Sequence, residues 1–100
     1  MVIYEYKPTA TVSGAMWTDD TLKINAGICY QVVVKSSNPE TTFDFKMTNQ
    51  YGVDIREFED CVGHINDVTP IPVKGVITFA INNASKDESF TVYASFVMET

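Results

Sequence analysis

The sequence predicts an all-β fold, a single antiparallel β-sandwich of jelly-roll or Ig-like type with a small barrel as the alternative, and three observations lead there. Apolar and polar residues alternate with a period of two in segment after segment, as where Phe43, Phe45 and Met47 interleave with Asp44, Lys46 and Thr48. No stretch carries apolar residues at the three-and-four spacing that gives a helix one greasy face. Clusters of Gly, Pro, Asn, Asp and Ser punctuate the chain at short intervals. Connections that short suit antiparallel pairing and leave no room for the long crossovers of parallel strands.

Taken in order, residues 2–7 read as a first strand ended by Pro8, which lacks the N–H a ladder needs. Residues 9–17 read as a second, with Gly14 marking a bulge or bend, and Asp19-Asp20 as the turn after it. Residues 21–25 form a short strand closed by Asn25-Ala26-Gly27. Residues 28–35 form a longer, central one with Ile28, Tyr30, Val32 and Val34 on one face. Ser36-Ser37-Asn38-Pro39 is a turn cluster, and residues 42–48 make a half-buried strand. The turn Asn49-Gln50-Tyr51-Gly52, where Gly52 takes a positive φ, leads into Val53-Asp54-Ile55-Arg56 and completes a hairpin.

From residue 57 to 72 the alternation dissolves, and the stretch reads as a long irregular excursion of the kind that is often functional. Residues 75–82 resume strand character with Ile77, Phe79 and Ile81 on one face, and residues 82–88 are a polar turn. In the last strand Phe90, Val92, Ala94, Phe96 and Met98 alternate with Thr91, Tyr93, Ser95 and Val97, so the chain end is expected to be tied into the sheet.

A chain of 100 residues, 45% of them hydrophobic, is the size of one domain (1–100) that buries its own core. Its net charge is -6, and the basic residues stand singly along the chain. Phosphate-rich partners bind through clustered positive charge, so neither nucleic acid nor an anionic membrane is an expected partner. The start lacks the pattern of a secretory signal, which leads to a soluble protein made in a cytoplasm, with Cys29 and Cys61 as free thiols.

Catalytic chemistry finds little to use. His64 is the one histidine, and no serine lies in a nucleophile-elbow turn. Cys61 and His64 lie three apart, but a structural zinc site takes four ligands and the rest of the chain adds only Cys29. Glu57, Glu59 and Asp60, with Asp54 or Asp67, match no calcium-loop spacing and read as a solvated acidic face. The chain is therefore expected to bind and not to catalyse, with no cofactor and no metal. Two contact surfaces are expected: the first strand, with Val2, Ile3, Tyr4 and Tyr6 offered for strand addition, and the irregular stretch. In that stretch the candidates are Glu57, Phe58 and Glu59 at the start, His64 and Ile65 in the middle, and Pro70 and Pro72 at the end. An alternative reading is a carbohydrate-binding β-sandwich that stacks sugars on Trp17 or on Tyr4 and Tyr6.

Thr48-Asn49-Gln50-Tyr51-Gly52-Val53-Asp54-Ile55, the step Pro72-Val73-Lys74-Gly75 leading into residues 76–81, and Thr91-Val92-Tyr93 carry a resemblance. Together these segments resemble short, β-rich structural proteins of tailed bacteriophages, over roughly the second half of the chain. The likeness implies a capsid decoration or cement role in the virion, after synthesis in a host cytoplasm. The implied partner is the major capsid protein or another virion protein, with the chain as a homo-oligomer, a trimer being one arrangement. It carries over no catalytic residue.

Overall fold

Proline sets the outline of the larger of two sheets. The computed structural model describes residues 2–98 and has ten strands: β1 (Val2–Tyr6), β2 (Thr9–Thr11), β3 (Trp17–Asp20), β4 (Ile24–Ser36), β5 (Thr42–Thr48), β6 (Asp54–Val62), β7 (His64–Asp67), β8 (Ile71–Gly75), β9 (Thr78–Asn82) and β10 (Ser89–Met98). β1 and β2 line the same margin of β10, one behind the other, and Pro8 breaks the ladder between them. β7 and β8 line the far margin of β4 in the same way, interrupted at Val68-Thr69-Pro70. Both broken rows are sheet edges, where a missing N–H is tolerated.

The larger sheet runs β1-β10-β4-β7, with β2 on β10 and β8 on β4; the smaller runs β3-β9-β5-β6. Every strand pairing is antiparallel. With each broken row counted once, the first row lies beside the last, the second beside the next to last, and so inward. That is the double-sheet jelly-roll order. The two sheets are separate and do not close on each other, so the fold is a sandwich and not a barrel.

The core forms where the inner faces meet. Phe43, Phe45 and Met47 of β5 and Phe79 and Ile81 of β9 face Val32 and Val34 of β4 and Val92, Ala94 and Phe96 of β10, all buried. Two ring pairs bridge the sheets: Phe43 meets Phe90 edge-on with centroids 5.1 Å apart, and Tyr6 meets Phe79 at 4.8 Å. The inward sets expected for residues 42–48, 75–82 and 90–98 are the ones found, with Met98 only partly buried. The hairpin also stands: Gly52 has φ 76, and the Asn49 side-chain oxygen accepts from the Tyr51 and Val53 amides.

Other expectations are corrected. Asp19 and Asp20 are not a turn but the end of β3, paired with Phe79 and Thr78, because Tyr6 Oη–H and Thr78 Oγ1–H donate to their carboxylates. Residues 9–17 are not one strand: after β2 the chain turns at Ser13-Gly14-Ala15-Met16, where Gly14 and Ala15 both have positive φ and Ser13 bridges Met16. Asn25-Ala26-Gly27 closes nothing, since β4 runs straight through it with a shifted register, absorbing part of the short strand expected at 21–25. Within β4 the partners of Ser95 and Phe96 are Gln31 and Cys29, so Tyr30 is an extra, bulged residue. The bulge flips the face: Cys29, not Ile28 or Tyr30, joins Val32 and Val34 inside.

The stretch 57–72 is not irregular; it holds most of β6, all of β7 and the start of β8. Two register shifts in β6, one on each side of its pairing with Phe45 and Lys46, space its inward residues Ile55, Phe58 and Cys61 three apart. A period-two reading is blind to that spacing. Pro72-Val73-Lys74-Gly75 likewise lies in a strand of its own and does not open β9. The last two residues, expected to be tied into the sheet, lie outside the described residues.

Candidate contact surface

The sequence-derived contact residues fall on two opposite margins of the sandwich. β1 carries Val2, Ile3, Tyr4 and Tyr6 on one side; β6, β7 and β8 carry the rest on the other, with Pro70 in the β7–β8 connection and β10 and β4 lying between. Val2 and Ile3 are exposed, Ile3 at 69%. Tyr4 is half-buried, its ring stacked on Phe96 at 5.5 Å and its hydroxyl accepting from the Leu22 amide. Tyr6 is buried and donates to Asp19 Oδ2 at 2.7 Å; burial first, then the Asp19 carboxylate, push its phenol far above the ordinary range. Ile65 is buried as well, so these two side chains belong to the core and present no surface.

On the opposite margin, Glu57, Glu59, His64, Pro70 and Pro72 are exposed and Phe58 is half-buried. Arg56 and Asp67, 2.6 Å apart, tie β6 to β7 across the two sheets. Gly63, with φ 77, turns the chain between them so that Cys61 packs toward the core while His64 faces outward opposite Lys35. The two do not form a pair. Burial pushes the Cys61 thiol up and the Cys29 thiol to about 11, and both are free. Neither is set up as a nucleophile, which needs a thiolate.

The registers reunite residues from the two margins on the outer face of the larger sheet. Ile3 pairs with Val97, Val97 with Ile28, and Ile28 with Pro72, an apolar row four strands wide. Beside it lie Tyr30, 42% exposed, and a second row in which Tyr93 pairs with Val33. Sequence reading missed Val97, Ile28, Tyr30, Tyr93 and Val33. The available signal was an apolar or aromatic residue at the outward phase of a strand whose inward phase was already full.

The outer face of the smaller sheet is different. Asp20, Asp44, Asp54, Glu57 and Glu59 lie on it, with Lys46 the basic residue among them, 4.0 Å from Asp54. Asp44, Lys46, Glu57, Glu59, Asn82 and Asn83 line an open concavity of about 540 Å³. Hydrogen bonds from Asn83 Nδ2 and the Asp60 amide hold the Asp44 carboxyl low. Hydrogen bonding of its protonated form with Glu59 and then Asp54, helped by the repulsion of the Glu59 charge, pushes Glu57 up. This is a solvated acidic face, where water and salt screen each charge. Among the described residues no group of three or more His, Cys, Asp or Glu side chains is placed to hold a metal.

Trp17 is half-buried, pairs with Ile81 and packs against the core, while Tyr6 is buried and offers no ring face for stacking a sugar. Glu88 accepts from the buried hydroxyls of Ser36 and Thr41, which clamps the 82–88 turn to the β4–β5 turn and lowers its pKa from the ordinary 4.5. A carboxyl with a lowered folded-state pKa adds stability that is present above about pH 4.5 and lost as pH falls through the folded value. Glu88→Gln is expected to melt lower than the parent at neutral pH and to show a shallower loss of melting temperature on acidification. Parallel curves for the two proteins would show that Glu88 makes no such link.

No protein-family model matches the sequence, and no curated protein matches it. Among solved structures the chain is similar to a structure of infectious bursal disease virus Gt strain, with TM-score 0.43, 9% identity, and coverage of 95% of this chain and 30% of that one. It is also similar to the crystal structure of the infectious bursal disease virus VP2 subviral particle, with TM-score 0.31, 10% identity, and coverage of 95% and 31%. The chain thus spans less than a third of the length of these two chains.

Proposed function

We propose that the chain is a non-enzymatic structural protein of a virus particle, a capsid decoration or cement protein that docks in many copies on the major capsid protein or another virion protein. The observation that carries this reading is the jelly-roll strand order, an arrangement recurrent in capsid domains. A fold is shared by many functions, so the resemblance of residues 48–55, 72–81 and 91–93 to tailed-phage structural proteins makes the choice among them. The virus structures named above agree with it without carrying it. A net charge of -6 suits a place outside the nucleic acid, and repeated copies on a lattice turn a modest individual affinity into firm attachment. The unpaired margin of β1 and the flank of β6 to β8 are the docking edges in this reading.

Mass spectrometry of gradient-purified particles is expected to find the chain at high copy number, and the purified chain is expected to cosediment with particles stripped of it. Particles that lack it would end the proposal.

A further inference from the structure

Charge is divided unequally between the two outer faces of the sandwich. The smaller sheet turns Asp20, Asp44, Asp54, Glu57 and Glu59 outward against Lys46. The larger sheet turns outward the row Ile3, Val97, Ile28 and Pro72, with Tyr30, Tyr93 and Val33 beside it. Its outward charged groups are Glu5, Lys35 and Lys74, with Lys7 paired to Glu5 just past the end of β1, so this face carries a small positive charge and the acidic excess lies on the other. Contact surfaces are enriched in aromatic and apolar groups and depleted of charge at their centres, which describes one of these faces and not the other.

We infer that the outer face of the larger sheet is a self-association surface, whose occupant is the same face of a second copy of this chain. Three features select a second copy. Two chains of charge -6 repel, and this face is the one through which they approach while their carboxylate-rich faces point away from each other. The face is also self-complementary. A two-fold axis parallel to the strands and midway between β10 and β4 sets Ile3 over Pro72 of the second copy, Val97 over Ile28 and Tyr93 over Val33, within the usual rotation of stacked sheets. The area suffices: four rows about 4.8 Å apart and about 33 Å long offer about 600 Å² per copy, or about 1,200 Å² in all, where stable specific interfaces begin.

This inference rests on the unequal division of charge between the two outer faces and goes beyond the proposed function, which concerns docking on a virus particle. Sedimentation velocity of the full chain at tens to hundreds of micromolar is expected to show a dimer of 11.2 kDa chains. Ile3→Glu with Tyr30→Glu is expected to weaken the dimer by at least ~10-fold, because a charge would be buried unpaired at each site. At concentrations low enough for the parent itself to be monomeric, the thermal melt should stay unchanged, since both residues are exposed in the single chain. Pro72→Glu, on the other margin, provides an independent variant with the same expected loss. Glu57→Gln with Glu59→Gln is expected to leave the dimer intact.

A chain that is monomeric throughout this range overturns the inference. So does a dimer lost by the Glu57 and Glu59 changes and kept by the Ile3 and Tyr30 changes. If the dimer is lost while particle binding survives, the proposed function stands on its own; if the dimer forms and particles do not bind it, only that function falls.

Discussion

Phe96→Ala is expected to lower stability by about 3 to 5 kcal/mol, read as a shift of the urea midpoint at unchanged slope. Phe96 has no exposed surface and lies in β10, between β1 and β4, where its Cα neighbours are Tyr4 and Cys29. Truncation removes the ring that Tyr4 stacks on and opens a cavity beneath the bulge at Tyr30, in a place where two flanking strands hold the backbone and prevent collapse. Ordinary domains have about 5 to 15 kcal/mol in total, so the variant should be partly unfolded under mild stress. A variant as stable as its parent would mean that the inward face of β10 has been misassigned.

Gly63→Ala should cost about 3 kcal/mol, for two reasons that a control separates. The φ of 77 is strained for any residue with a Cβ, and the added Cβ would lie 2.6 Å from the Pro39 carbonyl oxygen. That carbonyl has little freedom to retreat. Ser36 donates to the Gly63 carbonyl, Gly63 donates to Thr41, and Ser37 donates to Ser89, so the turn is held from three directions. Gly52 has nearly the same φ, 76, with nothing within 4 Å of an added Cβ. Gly52→Ala therefore carries the backbone strain alone, and the two denaturation curves should differ by the contact. Equal losses would show that the β6–β7 corner and the Pro39 turn are not in close contact.

Both substitutions bear on the same question, how the two faces of the sandwich are kept distinct. Phe96 holds the inward phase of β10, so Val97 and Tyr93 point outward; Gly63 forms the corner that carries the chain from acidic β6 to β7, where His64 and Asn66 face out beside Lys35. Loss of either blurs the division on which the self-association surface depends.

Local chemistry determined several parts of this molecule outright. The alternation of Phe43, Phe45 and Met47, of Phe79 and Ile81, and of Phe90 through Phe96 assigns the inward faces of β5, β9 and β10, because a strand has two sides and water selects which residues it keeps. The Asn49–Gly52 turn is equally local, since the Asn side chain and a positive φ close it within a few residues. Bulges are another matter: the extra residue at Tyr30 and the register shifts in β6 break the period of two, and each exists only because a neighbouring strand supplies a ladder to shift against. For the same reason residues 57–72 looked formless, although edge strands dominate them. The apolar row from Ile3 to Pro72 lies further still from local reading, for its members are scattered over most of the chain. Strand order alone brings them side by side, and order is set by the packing of whole faces, which no short run of residues encodes.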